Sequence, residues 1–211
     1  MGKKYKLTTN KKRVNGKTLY QIKALKTFGN VKKGDLGGWI ASEKNLSHEG
    51  NCWVFDNACV LDNAEVRDNA QVFGNAHISD EALISGNARV YDEAKVFEKS
   101  IVCGNVSICS KAWVYGDSLV FDNAWVLEYA KVFGKAKVYG NATVGGNAEV
   151  YENAEVYGTA RIFGNSRIYG SLKIYNGIFV YFKEKEERVK CVKCDDKYML
   201  IAINPKLIKN K

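Results

Sequence analysis

Between Cys52 and Gly177 the apolar positions of the chain recur every six residues without a slip. Positions 54, 60, 66 and onward to 174 are Val or Ile in all 21 cases, and the residue two before each is Ala in 15 and Ser in three. No insertion breaks the phase, and a fixed internal period is the signature of a stacked-repeat architecture. Strand side chains alternate, so the small residue and the Val or Ile face one way, and the two residues flanking the Val or Ile face the other. The next two positions, often Gly-Asn or Asp-Asn, turn the chain, because Gly, Asn and Asp tolerate a left-handed backbone. Each hexad is therefore a short strand and a corner. Three hexads close a triangular coil in which residue n stacks on residue n+18 at roughly the 4.8 Å strand spacing.

This pattern resembles the hexapeptide repeat of left-handed parallel β-helix proteins over about residues 52 to 180. The stretch "GDLGGWIASEKNLSHEGNCWVFDNA", residues 34 to 58, is similar to the N-terminal cap and first coil of the YdcK-like group of that class. The resemblance implies an all-β fold: a left-handed parallel β-helix of about seven triangular coils with an N-terminal β cap and a C-terminal β-hairpin. It also implies that the protein is a homo-oligomer, with a trimer favoured, and it brings no established activity.

The flanks read as caps. "KTLYQIKALKTF", residues 17 to 28, alternates apolar and polar positions behind the turn signal Val14-Asn15-Gly16, which predicts a hairpin over the first coil. After Val180 the period dissolves into "FKEKEERVKCVKCDDKYMLIAI", which reads as a second hairpin. Caps of this kind keep the open ends of a strand stack from pairing with other chains. The expected organisation is one structural domain with a basic cap over residues 1–50, the β-helix over 51–180 and a hairpin or tail over 181–211.

Charge changes this picture little. The formal net charge is +9, but residues 1–50 carry +9, residues 51–177 carry −4 and residues 178–211 carry +4 when the same sequence is divided. Basic ends fit an anionic partner; they also suit Lys-protected strand edges. Nucleic acid is therefore not the favoured partner. The start "MGKKYKLTTNKKR" is neither a secretory signal nor an anchor, no segment is long and apolar enough to span a bilayer, and a cytoplasmic location without membrane contact is expected. The six cysteines form no small disulfide framework and are read as thiols.

Candidate chemistry lies on the three outer faces. On face one, Phe97, Tyr115, Phe133, Tyr151 and Tyr169 form one column, and Lys95, Trp113, Lys131, Glu149 and Arg167 the column beside it. Rings that stack on flat groups and cations that neutralise phosphate are the chemistry of a nucleotide surface. The predicted ligand-binding residues are Lys95, Phe97, Trp113, Tyr115, Lys131, Phe133, Tyr151 and Arg167. Set against this is a plain solvated face with ladder-stabilising rings and snorkelling lysines. On face two, Leu83, Ile101 and Leu119 stand beside Phe121, Tyr139 and Tyr157, an apolar strip expected to be an oligomer interface. Face three carries Trp53, Phe55, Phe73, Arg89, Tyr91, Trp125, Arg161 and Phe163.

These features predict a non-catalytic binding protein that captures an anionic ligand, such as a nucleotide signal of the kind a phage sponge would sequester. The alternatives are a protein–protein inhibitor or scaffold that docks on a host protein and, as the resemblance to hexapeptide-repeat proteins implies, an acyltransferase using a coenzyme A donor. For catalysis only His77 points outward on a face, without a loop or an orienting carboxylate, and His48 falls on the inward phase as a cap residue. Cys191 and Cys194 form a CxxC, half of a tetrahedral zinc site with no second pair nearby. No cofactor is expected.

Overall fold

The structure is a computed structural model. It describes residues 2–181 and the backbone of two further strands, Arg188–Cys194 and Lys197–Ile203. The fold is a left-handed parallel β-helix, among the described residues all-β apart from one turn of 3-10 helix at Glu43–Asn45. Among the described residues no helix is long and apolar enough to cross a membrane.

The hexads become strands of two residues, from Trp53–Val54 to Lys173–Ile174, with one four-residue strand at Arg161–Gly164. Through Glu155–Val156 each pairs in parallel with the strand 18 residues on, as Val54 lies on Val72, Val96 on Val114 and Val102 on Val120, and Arg161–Gly164 pairs 17 residues on with Ile178–Tyr181. Main-chain bonds run straight down the stack, as from the Lys95 N–H to the Ala112 carbonyl at 2.9 Å and from Phe97 N–H to Val114 at 3.0 Å. The Val and Ile columns and the Ala columns fill the interior and are sealed from solvent. Small residues predominate beside the corners, Ala at most of them, although Val106 is accommodated there fully buried.

At the corners one residue per hexad adopts a left-handed backbone, as at Asp62 (φ 59°) and Gly74 (φ 68°). Where that residue is acidic, its carboxylate usually accepts the N–H of the corresponding residue one coil on, as from Asp56 to Gly74 at 3.0 Å and from Asp122 to Gly140 at 3.1 Å. The neighbouring Asn positions form an amide ladder, with Asn69, Asn87, Asn105 and Asn123 bonded in series at 3.0 to 3.2 Å. Both devices satisfy corner groups that the strand ladder leaves open.

The N-terminus folds as β1 (Tyr5–Val14) and β2 (Lys17–Ala24), antiparallel about Asn15 and Gly16, whose positive φ of 50° and 78° make the predicted hairpin turn. A third strand, β3 (Leu36–Ile40), runs antiparallel to β2 and parallel to Cys59–Val60, so the hairpin roofs the sheet of face one. Ile40 pairs with Val60, 20 residues away, and the parallel stack thus begins at β3, ahead of the regular hexads. Counting β3 and the last strand, Ile178–Tyr181, two sheets have eight parallel layers and the third has seven.

Lys4 fastens this roof. Its side chain is buried, with Nζ donating to the carbonyls of Cys52, Glu49 and Gly50 at 2.9, 3.2 and 3.3 Å and lying 3.3 Å from the Cys52 Sγ. Burial lowers the Lys4 pKa and raises that of the Cys52 thiol. Asn45 donates to the carbonyls of Ala64 and Asp62, and the Tyr5 hydroxyl to that of Leu46. His48 is a cap residue, its ring 4.4 Å from that of Tyr5.

The strands Arg188–Cys194 and Lys197–Ile203 pair antiparallel as the expected hairpin, with Cys194 opposite Lys197. The zinc reading of Cys191 and Cys194 concerns side chains outside the described residues.

Candidate functional site

Face one is assembled as the period predicts. Its strands carry His77, Lys95, Trp113, Lys131, Glu149 and Arg167 in strict register. Beside them Phe97, Tyr115, Phe133, Tyr151 and Tyr169 form a single ring ladder. Centroids are 4.8 to 4.9 Å apart with planes 2–3° from parallel as far as Tyr151, and 5.3 Å and 15° at Tyr169. The coil spacing is itself the stacking distance, so every interior ring has both faces covered by its neighbours. What the ladder shows to solvent is ring edges.

The charged column is also internally matched. Trp113 is clasped between two ammonium groups, Lys95 Nζ at 5.0 Å and Lys131 Nζ at 5.7 Å from its ring. Glu149 is held between Lys131 at 3.6 Å and Arg167 at 3.1 Å. The eight residues predicted to bind a ligand are thus brought to one face. Two of their three cations, however, are paired with Glu149, a column member that counting cations and rings alone passes over.

Face two repeats the scheme. Phe121 and Tyr139 stack at 4.7 Å and Tyr139 and Tyr157 at 4.9 Å. Glu155 sits between Lys137 at 3.7 Å and Lys173 at 3.5 Å, and accepts a bond from the Tyr139 hydroxyl at 3.2 Å. That bond joins burial in raising the Tyr139 pKa to about 12. Leu83, Ile101 and Leu119 occupy successive coils without a charge between them, and Ile101 is 39% exposed.

Face three is partly closed. Trp53 is buried rather than outward-exposed, because Phe28 and Tyr5 of the cap pack edge-on against it at 5.3 and 6.0 Å. Phe73 and Tyr91 stack at 4.7 Å with Arg89 over both rings. Cys109 is on the outer side of the coil, below Tyr91 in its column, yet is only 7% exposed. Gly145 makes a notch into which the Phe163 ring folds, 2.6 Å from where a Cβ would stand.

His77 lies on face one between Cys59 and Lys95, half-buried. Burial, then the positive charges of Lys95 and Lys12, hold its pKa below the ordinary imidazole value, with Asp80 opposing. Lys12 comes from the roof, its Nζ bonded to the Asn57 carbonyl at 3.1 Å and 4.7 Å over the Trp39 ring. Sequence periodicity could not bring Lys12 to His77, since the cap lies outside the repeat.

A shallow groove of about 550 Å³ runs down one corner, lined by Asp80, Glu98, Lys99, Asp117 and Lys135 around Gly116 and Gly134. It holds acids and bases together, and among the described residues no three His, Cys, Asp or Glu side chains are grouped to hold a metal.

No protein-family model matches the chain. Over 38 residues it is 50% identical to the uncharacterized acetyltransferase YdcK of Escherichia coli (strain K12), a stretch amounting to 18% of this chain and 12% of that protein.

Proposed function

We propose that this protein is a non-catalytic binding scaffold, whose face one offers ring edges and alternating charge to a protein partner. The observation that carries this reading is the mutual coverage of the rings at 4.8 to 4.9 Å. A planar ligand binds by lying on a ring face, and in this ladder only the outer faces of the terminal rings, Phe97 and Tyr169, are left for one. A flat array of ring edges flanked by compensated charge suits a broad protein surface better than a small anion.

The test is a comparison of two ligands on one protein. A partner identified by pull-down is purified and titrated against the wild type and Phe133→Lys. The scaffold reading expects a defined stoichiometry and a large loss of affinity in the variant. A panel of nucleotides, including cyclic and dinucleotide forms, is expected to leave the melting temperature unchanged. A reproducible rise of several degrees, abolished by Lys95→Ala, would overturn the scaffold in favour of anionic-ligand capture.

A second reading, acyl transfer, has one specific observation in its favour. Burial, then Lys95 and Lys12, lower the His77 pKa and so favour its neutral form, and neutral imidazole is the form a general base requires. The partial likeness to a protein named as an acetyltransferase points the same way. Release of free thiol from acetyl-coenzyme A that disappears in His77→Ala supports it, and no release above the uncatalysed rate ends it.

A further inference from the structure

The outward column of face two reads, coil by coil, Glu65, Leu83, Ile101, Leu119, Lys137, with each residue registered on the next. Reversed about Ile101, the column keeps its apolar pattern and exchanges its acid for its base. We infer that face two binds face two of a second copy, antiparallel, across a twofold axis lying in the interface at the level of Ile101.

That operation places Ile101 against its own copy, Leu83 against Leu119, and Glu65 against Lys137 twice over. An isologous contact demands this kind of self-complementarity. A parallel pairing of the same columns would set Glu65 on Glu65 and Lys137 on Lys137, so only the antiparallel arrangement matches opposite charges. The adjoining column obeys the same axis. Cys103 is level with Ile101 and meets its own copy, and the Phe121 ring falls opposite Ser85, whose small side chain leaves room for it.

The charges are disposed for such a contact. Glu65 makes no ion pair among the described residues, and Glu155, which Lys137 shares, retains Lys173 at 3.5 Å when Lys137 turns outward. The unbroken 18-residue register keeps both columns straight, so the match extends along the whole strip, four coil spacings or about 19 Å. Ile101 is 39% exposed in the single chain, and the second copy supplies its cover.

The experiment is a charge swap followed by sedimentation at one fixed concentration. Wild type is expected to be a dimer. Glu65→Lys alone and Lys137→Glu alone each set like charges together twice, and each should dissociate roughly 10- to 100-fold more readily. Mixed in equal amounts, the two variants restore both attractions and should re-form a dimer of one chain of each. Unchanged circular dichroism and melting of the variants separate loss of contact from loss of fold. A monomeric or trimeric wild type, a Glu65→Lys variant that assembles as before, or a mixture that stays monomeric would each overturn the antiparallel dimer. Because face one takes no part in this contact, its outcome is independent of the scaffold reading above.

Discussion

The carboxylate of Asp80 accepts the backbone N–H of Glu98, one coil on, at 3.1 Å. Both residues hold a left-handed backbone, with φ of 59°, a conformation that costs an L-residue about 1 kcal/mol or more. The bond returns part of that cost at a corner position that elsewhere in the column is filled by glycine, as at Gly116 and Gly134.

Asp80→Ala keeps the strained conformation and strips the Glu98 N–H of its acceptor. The expected loss is about 1 kcal/mol, read as a lower midpoint in denaturant at unchanged slope. Asp80→Gly loses the same bond but relieves the strain, and should lie between the wild type and the alanine variant.

The interior tolerates neither shrinkage nor growth. Ile84 is fully buried in the Val/Ile column, and Ile84→Ala should cost about 2–5 kcal/mol through lost burial and the cavity left behind. Ala112 is buried where the corner closes. Ala112→Leu should cost about 1–3 kcal/mol for the opposite reason, an overfilled site. Chemical denaturation of the two variants checks both directions.

Acid should weaken the fold through its two histidines. Both imidazoles have their pKa lowered, first by burial, with Lys95 and Lys12 adding to the effect at His77, and Lys3 and Lys4 at His48. Glu43 opposes the shift at His48. A depressed imidazole binds fewer protons folded than unfolded, so its contribution is complete above the ordinary value of 6.5 and is lost as pH falls through the lowered midpoint. Melting temperature should be level above about pH 7 and decline below 6.5, less steeply in His77→Gln. Imidazole resonances titrating at or above 6.5 would contradict this.

At the alkaline end the Tyr139 hydroxyl, held up by burial and Glu155, should ionise near 12. Its stabilising share is present below the ordinary tyrosine value and lost as pH rises through 12. Ultraviolet titration of wild type against Glu155→Gln should show one tyrosine moving towards the ordinary value near 10.

How far these features were legible in the sequence follows from which contacts repeat. The Val column from Val54, the sorting of Lys95, Trp113 and Lys131 onto one face, and the pairing of ring with ring all depend on a separation of 18, and the six-residue phase supplies it directly. The turn at Asn15-Gly16 was readable for a local reason, two residues suited to positive φ. The contacts of Lys4 with Cys52 and of Lys12 with Asn57 have no period and join distant segments, so only the folded chain brings them together. The burial of Trp53 was missed for the same cause, since Phe28 and Tyr5 reach it from outside the repeat. Within face one the positions were legible but their energetics were not. Reading cations beside rings suggests an open surface, whereas the register puts Glu149 between Lys131 and Arg167 and spends their charge within the chain.

The unbroken phase from Cys52 to Gly177 also makes the molecule a ruler that can be recut. Each layer touches only the layers above and below, so duplicating or deleting 18 consecutive residues would change the length by one storey, roughly 4.8 Å, with every face still in line. Gain or loss of a single residue would instead turn a Val outward and displace all three faces beyond it. Genetic variation of such a chain is channelled towards whole storeys, and the reach of whatever it holds is adjustable only in those steps.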